Sequence, residues 1–179
     1  EKASNLQAYL ADPEVRRANW QVMASGIWDA ARPNVGHESL VDLERSGRLH
    51  TLVTQNVDGL HALAGSNPAR IVEIHGTVRE AMCLGCDWRA PVDVVLDRVR
   101  SGDIDPHCDR CGDLLKSATV SFGQALFPGD MERAEEAARA CDLLLAVGST
   151  LGVYPVAAMV PVAVRHGAAL VVVNGSPTA

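Results

Sequence analysis

The sequence predicts an α/β fold: a doubly wound parallel sheet carrying a small inserted four-cysteine module, with a helical segment ahead of it. Three observations lead there. Short runs rich in Val, Ile and Leu alternate with stretches of helical periodicity, two Cys-x-x-C pairs interrupt that alternation, and no strand signal precedes residue 37. Continuous apolar strands suit a parallel sheet covered on both faces. Strands alternating with helices suit the doubly wound arrangement.

The elements follow in order. Residues 1–36 read as helical, part of a small domain. "HESLVDLERSG" predicts a helix that starts after Pro33-Asn34 and ends near Gly47. "LHTLVTQN" and "RIVEIHG" predict strands within the first part of the sheet domain, 37–75. Residues 76–117 hold all four paired cysteines and read as the insertion. The second part of the sheet domain, 118–179, takes the strands "SATVSFG", "DLLLAVGS" and "ALVVVNGS". Between them "GDMERAEEAARAC" sets Met131, Ala134, Ala138 and Cys141 at helical spacing, with charges opposite. "YPVAAMVPVAVRHG" predicts a helix closing at His166-Gly167, kinked by Pro161 or holding it in the first turn.

An apolar share of 47% with 21% charged residues predicts an ordered globular chain. A net charge of −6 supplies no basic field, so nucleic acid is not expected as a partner. No apolar run approaches the roughly 18 to 20 residues of a membrane span, so no membrane partner is expected. The chain opens on "EKASNLQAYL" without a signal-peptide pattern and stops at "VVVNGSPTA" after a strand, which reads as a piece of a longer protein. A cytoplasmic location is expected, with reduced thiols.

The pairs Cys83-Leu-Gly-Cys86 and Cys108-Asp-Arg-Cys111 stand 21 residues apart. Two such knuckles predict one tetrahedral Zn²⁺ held by Cys83, Cys86, Cys108 and Cys111. Four thiolates leave no coordination position for water or substrate, so the ion is structural and stands in for the core that a short insertion lacks. His107, beside Cys108, is not needed as a ligand, and Cys141 reads as a small buried apolar residue.

His75 ends an apolar strand at the sheet edge where open α/β folds bind ligands. Two readings stand: a strand-end histidine satisfied by backbone, or a general base. "LLLAVGSTLG" runs a strand into Gly148-Ser149-Thr150 and then a helix, a junction whose free N–H groups suit phosphate. Asn174 follows 26 residues after Gly148, a spacing suited to a ribose contact. Gln55, Asn56 and Asp58 cluster after a strand; they serve either as a helix cap or as hydrogen-bonding partners for ribose and carboxamide.

Taken together, "TQNVDGLHALAGS", "EIHG", the two knuckles, "VSFG", "GSTLGVYP" and "VVVN" resemble the sirtuins, NAD-dependent protein lysine deacylases, in order from "PNVGHESL" to the end. The resemblance implies a Rossmann-like domain, NAD as cosubstrate and one structural Zn²⁺. It implies that His75 is catalytic and that Gln55, Asn56, Val57 and Asp58 line the nicotinamide-ribose pocket, Asp58 receiving the carboxamide. Gly148, Ser149 and Thr150 would hold ribose and phosphates, and Asn174, Gly175 and Ser176 the adenosine end. Val120, Phe122, Gly123 and Val153 would frame a cleft where an acylated-lysine protein or peptide adds as a strand. The implied products are nicotinamide, free lysine and O-acyl-ADP-ribose. No Tyr-x-x-Arg pair is present, which favours acetyl or another uncharged acyl group. The family's Gly-Ala-Gly-x-Ser and Gly-Ile-Pro-Asp-Phe-Arg segments would lie before Glu1, and Gln124 stands where the family has a glutamate. Two other readings share these features: a mono-ADP-ribosyltransferase on the same site, and a non-catalytic zinc-ribbon and nucleotide-binding interaction module.

Overall fold

A computed structural model of the chain describes residues 5–175; Ser176, among the cofactor candidates, lies outside the described residues. Local capping chemistry sets the first helices. Asn5 accepts the Ala8 N–H to start α1 (Leu6–Ala11), and Asp12 accepts from Glu14 to start α2 (Pro13–Ala24). Pro13 sits in the first turn of α2, where its missing N–H has no helical partner to lose. Helix α3 (Val35–Arg45) begins where Pro33-Asn34 placed it, with Asn34 and His37 forming a reciprocal capping box.

The predicted strands around the cleft form, but in two separate parallel pairs. Strand β1 (Leu52–Thr54), followed by α4 (Leu60–Ala64), pairs with β2 (Ile71–Glu73). Strand β6 (Leu143–Val147) pairs with β7 (Ala169–Val173), and no ladder joins the two pairs among the described residues. Helix α6 (Asp130–Ala140) packs Ala134 against the fully buried Val72 and Ile74. Helix α7 (Met159–Arg165) holds Pro161 within its first turn, so the proline removes no interior hydrogen bond. Cys141 joins a small cluster with Ala138, Ala163 and Ala168, the apolar role read for it.

Two strand expectations differ from the structure. The "SATVSFG" run supplies β5 (Leu115–Thr119), which is antiparallel to β3 (Gly76–Cys83); β3 pairs on its other edge with β4 (Arg89–Pro91). That run thus belongs to the cysteine lobe's sheet and crosses the expected boundary at 117/118. A short apolar run carries no information about the direction of its partner, so periodicity could not separate the two cases. The β6–β7 pair is also not covered on both faces. Leu143, Leu145, Val147, Val171 and Val173 stay 40–56% exposed, because no described element packs on that side.

The helical segment and the cysteine lobe share one core. Trp20 of α2 packs with Ala81, Cys83, Val95, Leu96 and Leu115, and α5 (Asp93–Arg100) closes over them. The Tyr9 hydroxyl donates to the Leu115 carbonyl at 2.6 Å. Arg16, only 7% exposed, bonds Asp105 at 2.8 and 2.9 Å and the carbonyls of Tyr9 and Leu10 at 3.1 and 3.2 Å. Replacing Arg16 by methionine would strand a carboxylate and two carbonyls without their donor. The expected loss is about 3–5 kcal/mol, read as a shift in the urea midpoint. A loss below about 1 kcal/mol, the range of an exposed ion pair, would contradict this role.

Candidate active site and metal centre

The four knuckle sulfurs lie within 4.8 Å of one another, with Cys83···Cys111 at 3.5 Å and Cys86···Cys108 at 3.7 Å. A tetrahedron with Zn–S bonds of about 2.3 Å has S···S edges of about 3.8 Å, so the four residues fit one structural zinc ion. Backbone turns build the cage: Gly85 donates to Cys83 Sγ at 3.3 Å and Gly112 to the Cys108 carbonyl at 2.8 Å. Gly85 is required sterically, since a Cβ there would lie 2.1 Å from Asp113 Oδ2. No histidine enters the cluster. His107 Nδ1 sits 2.8 Å from the Gly112 carbonyl, to which its N–H donates.

His75 lies between β2 and β3, outside the cage. Its Nδ1 is 3.3 Å from the Gln55 carbonyl, an acceptor that places the ring proton on Nδ1 and leaves the Nε2 lone pair available. The His75 carbonyl accepts the Val120 N–H at 2.8 Å. Gln55 reaches the other strand pair, its Nε2 donating to Ser149 Oγ at 3.3 Å. Asn174 Nδ2 donates to the Ser149 carbonyl at 3.1 Å, and Gly148 N–H donates to Val173 at 2.9 Å. Gly175 N–H in turn donates to Asn174 Oδ1 at 3.0 Å. Direct hydrogen bonds thus join Gln55, His75, Ser149 and Asn174, which follow the C-terminal ends of the parallel strands, with Val120, which follows the antiparallel β5.

The other candidates lie around this group. Val57 accepts Val78 N–H at 2.8 Å, and Asp58 Oδ1 accepts Leu60 N–H at 2.9 Å. The N-cap position of α4 is Gly59, without a side-chain cap, so the bond from Leu60 N–H is a local turn contact at the start of the helix, and it uses one of the two Asp58 carboxylate oxygens. Asn56 and Thr150 are exposed. Phe122 is 72% and Val153 44% exposed, and Gly123 takes φ +84°. The Phe122 carbonyl accepts Leu6 N–H at 3.0 Å. Gln124 Oε1 accepts Ser121 N–H at 3.2 Å, a bond that an amide makes as well as the family's carboxylate would. A cavity of about 360 Å³ beside β2, lined by Ile71, Glu73, Arg89, Phe127 and Asp130, contains none of the candidate residues.

Sequence reading missed Arg79, whose Nε donates to the Asp58 carbonyl at 2.8 Å. It lies outside every motif, and no local signal marks it.

Next to the cleft, burial pushes the His61 pKa below its ordinary value, as does His37, whose ring centroid is 4.8 Å away; Asp58 opposes both. The native state therefore resists a proton that the unfolded chain takes up. Stability from this group is full above pH about 6.5 and is lost as pH falls from there toward the lowered folded pKa. Thermal midpoints between pH 7.5 and 5.5 are expected to fall more steeply for the parent than for His61→Gln. Parallel curves would remove His61 from the acid response.

Fold and site together define an α/β protein with a four-thiolate cage fit for a structural zinc ion and, outside that cage, an imidazole hydrogen-bonded to the loop that follows a parallel strand. Comparison with known proteins agrees. The Sir2 family profile matches residues 1–155. NAD-dependent protein deacetylase 2 of Streptomyces coelicolor is 45% identical over 178 residues, 99% of this chain and 74% of its own length. NAD-dependent protein deacetylase 1 of Bradyrhizobium diazoefficiens is 38% identical over 175 residues, 97% of this chain and 68% of its own. A Sir2 enzyme bound to acetylated peptide superposes with a TM-score of 0.90 at 31% identity, over 99% of this chain and 73% of that one. A Sir2–p53 peptide–NAD⁺ structure gives 0.86 at 31% identity, over 97% of this chain and 71% of that one. The chain belongs to the Sir2 family.

Proposed function

We propose that this protein is an NAD-dependent protein lysine deacetylase in which His75 is the catalytic base. The observation that carries the reading is the imidazole tied through Nδ1 to the Gln55 carbonyl, while the Gln55 side chain spans to Ser149. Bound NAD supplies an electrophilic sugar carbon and nicotinamide as its leaving group. His75 Nε2 takes a proton from a ribose hydroxyl. The Asp58 oxygen not engaged by Leu60 accepts from the carboxamide, and Gln55, Asn56 and Val57 complete that pocket. Gly148, Ser149 and Thr150 hold ribose and phosphate, and Asn174, Gly175 and Ser176 the adenosine end. Val120, Phe122, Gly123 and Val153 frame the acetyl-lysine peptide, whose main chain adds as a strand. Cys83, Cys86, Cys108 and Cys111 hold zinc, which takes no part in the chemistry.

Among the described residues no helix is long and apolar enough to cross a membrane. Thiols free of disulfides suit a reducing compartment, which supports action in the cytoplasm. The test incubates the protein with NAD and an acetyl-lysine peptide and follows nicotinamide, the peptide and O-acetyl-ADP-ribose by mass spectrometry. Nicotinamide and deacetylated peptide should appear in equal amounts. Nicotinamide release with ADP-ribose attached to protein, and the peptide still acetylated, would replace this reading with ADP-ribosyl transfer.

A further inference from the structure

Asp58 is held from a direction that no motif announces. Arg79 lies on β3, between His75 and the first zinc ligand, Cys83. Its guanidinium makes three contacts: Nε to the Asp58 carbonyl at 2.8 Å, Nη2 to the Trp28 carbonyl at 3.0 Å, and Nη1 to Asp29 Oδ1 at 3.7 Å. A planar fork of donors can bind two carbonyls from different segments at once; a lysine ammonium is a single point of charge on a flexible stem. The next residue along the cleft loop, Gly59, has φ +70°, and a Cβ built on it would fall 2.8 Å from Arg79 Cγ. Arg79 therefore lies in contact with the Asp58–Gly59 turn. Val78 N–H holds the Val57 carbonyl from the same strand. Asp58 is consequently fixed on both sides of its peptide, while its side chain is steadied by Leu60 N–H.

We infer that Arg79 is a positioning residue for the nicotinamide end of the site, holding the Asp58 turn against the segment that carries Trp28. This rests on the assignment of Asp58 to the carboxamide. The guanidinium touches backbone alone at Asp58, so its removal should free the turn without changing the carboxylate's chemistry. Effects should concentrate on ligands that carry a pyridine carboxamide and spare those that lack one.

The experiment compares the parent with Arg79→Met and Arg79→Lys, after zinc content and thermal midpoint have been measured for each. In Arg79→Met, free nicotinamide should bind about tenfold more weakly, the scale of one lost hydrogen bond to a charged group. The KM for NAD should rise with it, while ADP-ribose affinity and the KM for acetylated peptide stay at parental values. Arg79→Lys should recover part of the loss, since it can donate to one carbonyl. Amide hydrogen exchange across residues 57–60 should speed up in Arg79→Met and less so in Arg79→Lys. Unchanged nicotinamide affinity, or equal weakening of nicotinamide, ADP-ribose and peptide, overturns the inference. The exchange measurement separates the two claims: if the parent shows no deacetylation, the functional reading fails. Unaltered exchange at 57–60 sinks the Arg79 clamp whether or not the parent is active.

Discussion

Alanine in place of His75 is expected to lower NAD-dependent deacetylation by about 10²- to 10⁴-fold, the usual contribution of a positioned general base. The ring is part-buried and makes one hydrogen bond, from Nδ1 to the Gln55 carbonyl. That bond sets the tautomer and leaves Nε2 as the basic atom. The backbone on either side stays anchored, because Ile74 N–H bonds the Thr54 carbonyl and the His75 carbonyl bonds Val120 N–H. Truncating the side chain should therefore leave zinc stoichiometry and thermal midpoint near those of the parent. His75→Gln, which keeps a donor of similar reach but has no basic nitrogen, should be as inactive as the alanine variant. Deacetylation near the parental rate in either variant would remove His75 from the mechanism.

Serine at Cys108 should have a larger effect on folding. Cys108 is 4% exposed, and its sulfur is one corner of the cage. The free energy of binding a structural zinc, about 10–16 kcal/mol in small domains, is also folding free energy. It is as large as the typical whole margin of a domain, about 5–15 kcal/mol. Cys108 shares its core with Trp20 of α2 and with Trp88, so loss of the ion should reach beyond the lobe. Zinc should fall below one equivalent, tryptophan emission should shift to the red, and deacetylation should vanish with the fold. Cys141→Ser is the control, since Cys141 lies in a different cluster and should retain full zinc. A Cys108→Ser protein with one equivalent of zinc and parental emission would show that the cage does not hold the lobe together.

These two expectations arose from different kinds of information. The cage was legible in the sequence because chelation is local: two residues between cysteines fix each knuckle, and both knuckles have the same form. Helix α3 was legible for a similar reason, since its start signal is local: Asn34 caps it and pairs with His37 within four positions. The cleft motifs could be recognised as a set, yet their bonding could not. Asp58 admitted a cap or a pocket role, and the structure puts Gly59 at the N-cap of α4 while one Asp58 oxygen accepts Leu60 N–H in the turn that leads into it. The run at 117–123 read as a parallel strand because a buried apolar segment looks alike in either sheet. Its pairing with β3 was decided by which edge stood beside it.

By itself the sequence determined the family, the thiolate donor set and the start of α3, all properties that near neighbours in the chain or an ordered set of motifs can specify. The tertiary structure alone decided that the parallel strands form two pairs, that the Gln55 carbonyl selects the His75 tautomer, and that Trp20 unites the helical segment with the cysteine lobe. It alone brought Arg79 onto Asp58 and Trp28. Those contacts join residues 20 to more than 90 positions apart. A hydrogen bond across such a separation depends on which surfaces bury each other, and no local pattern of side chains encodes that.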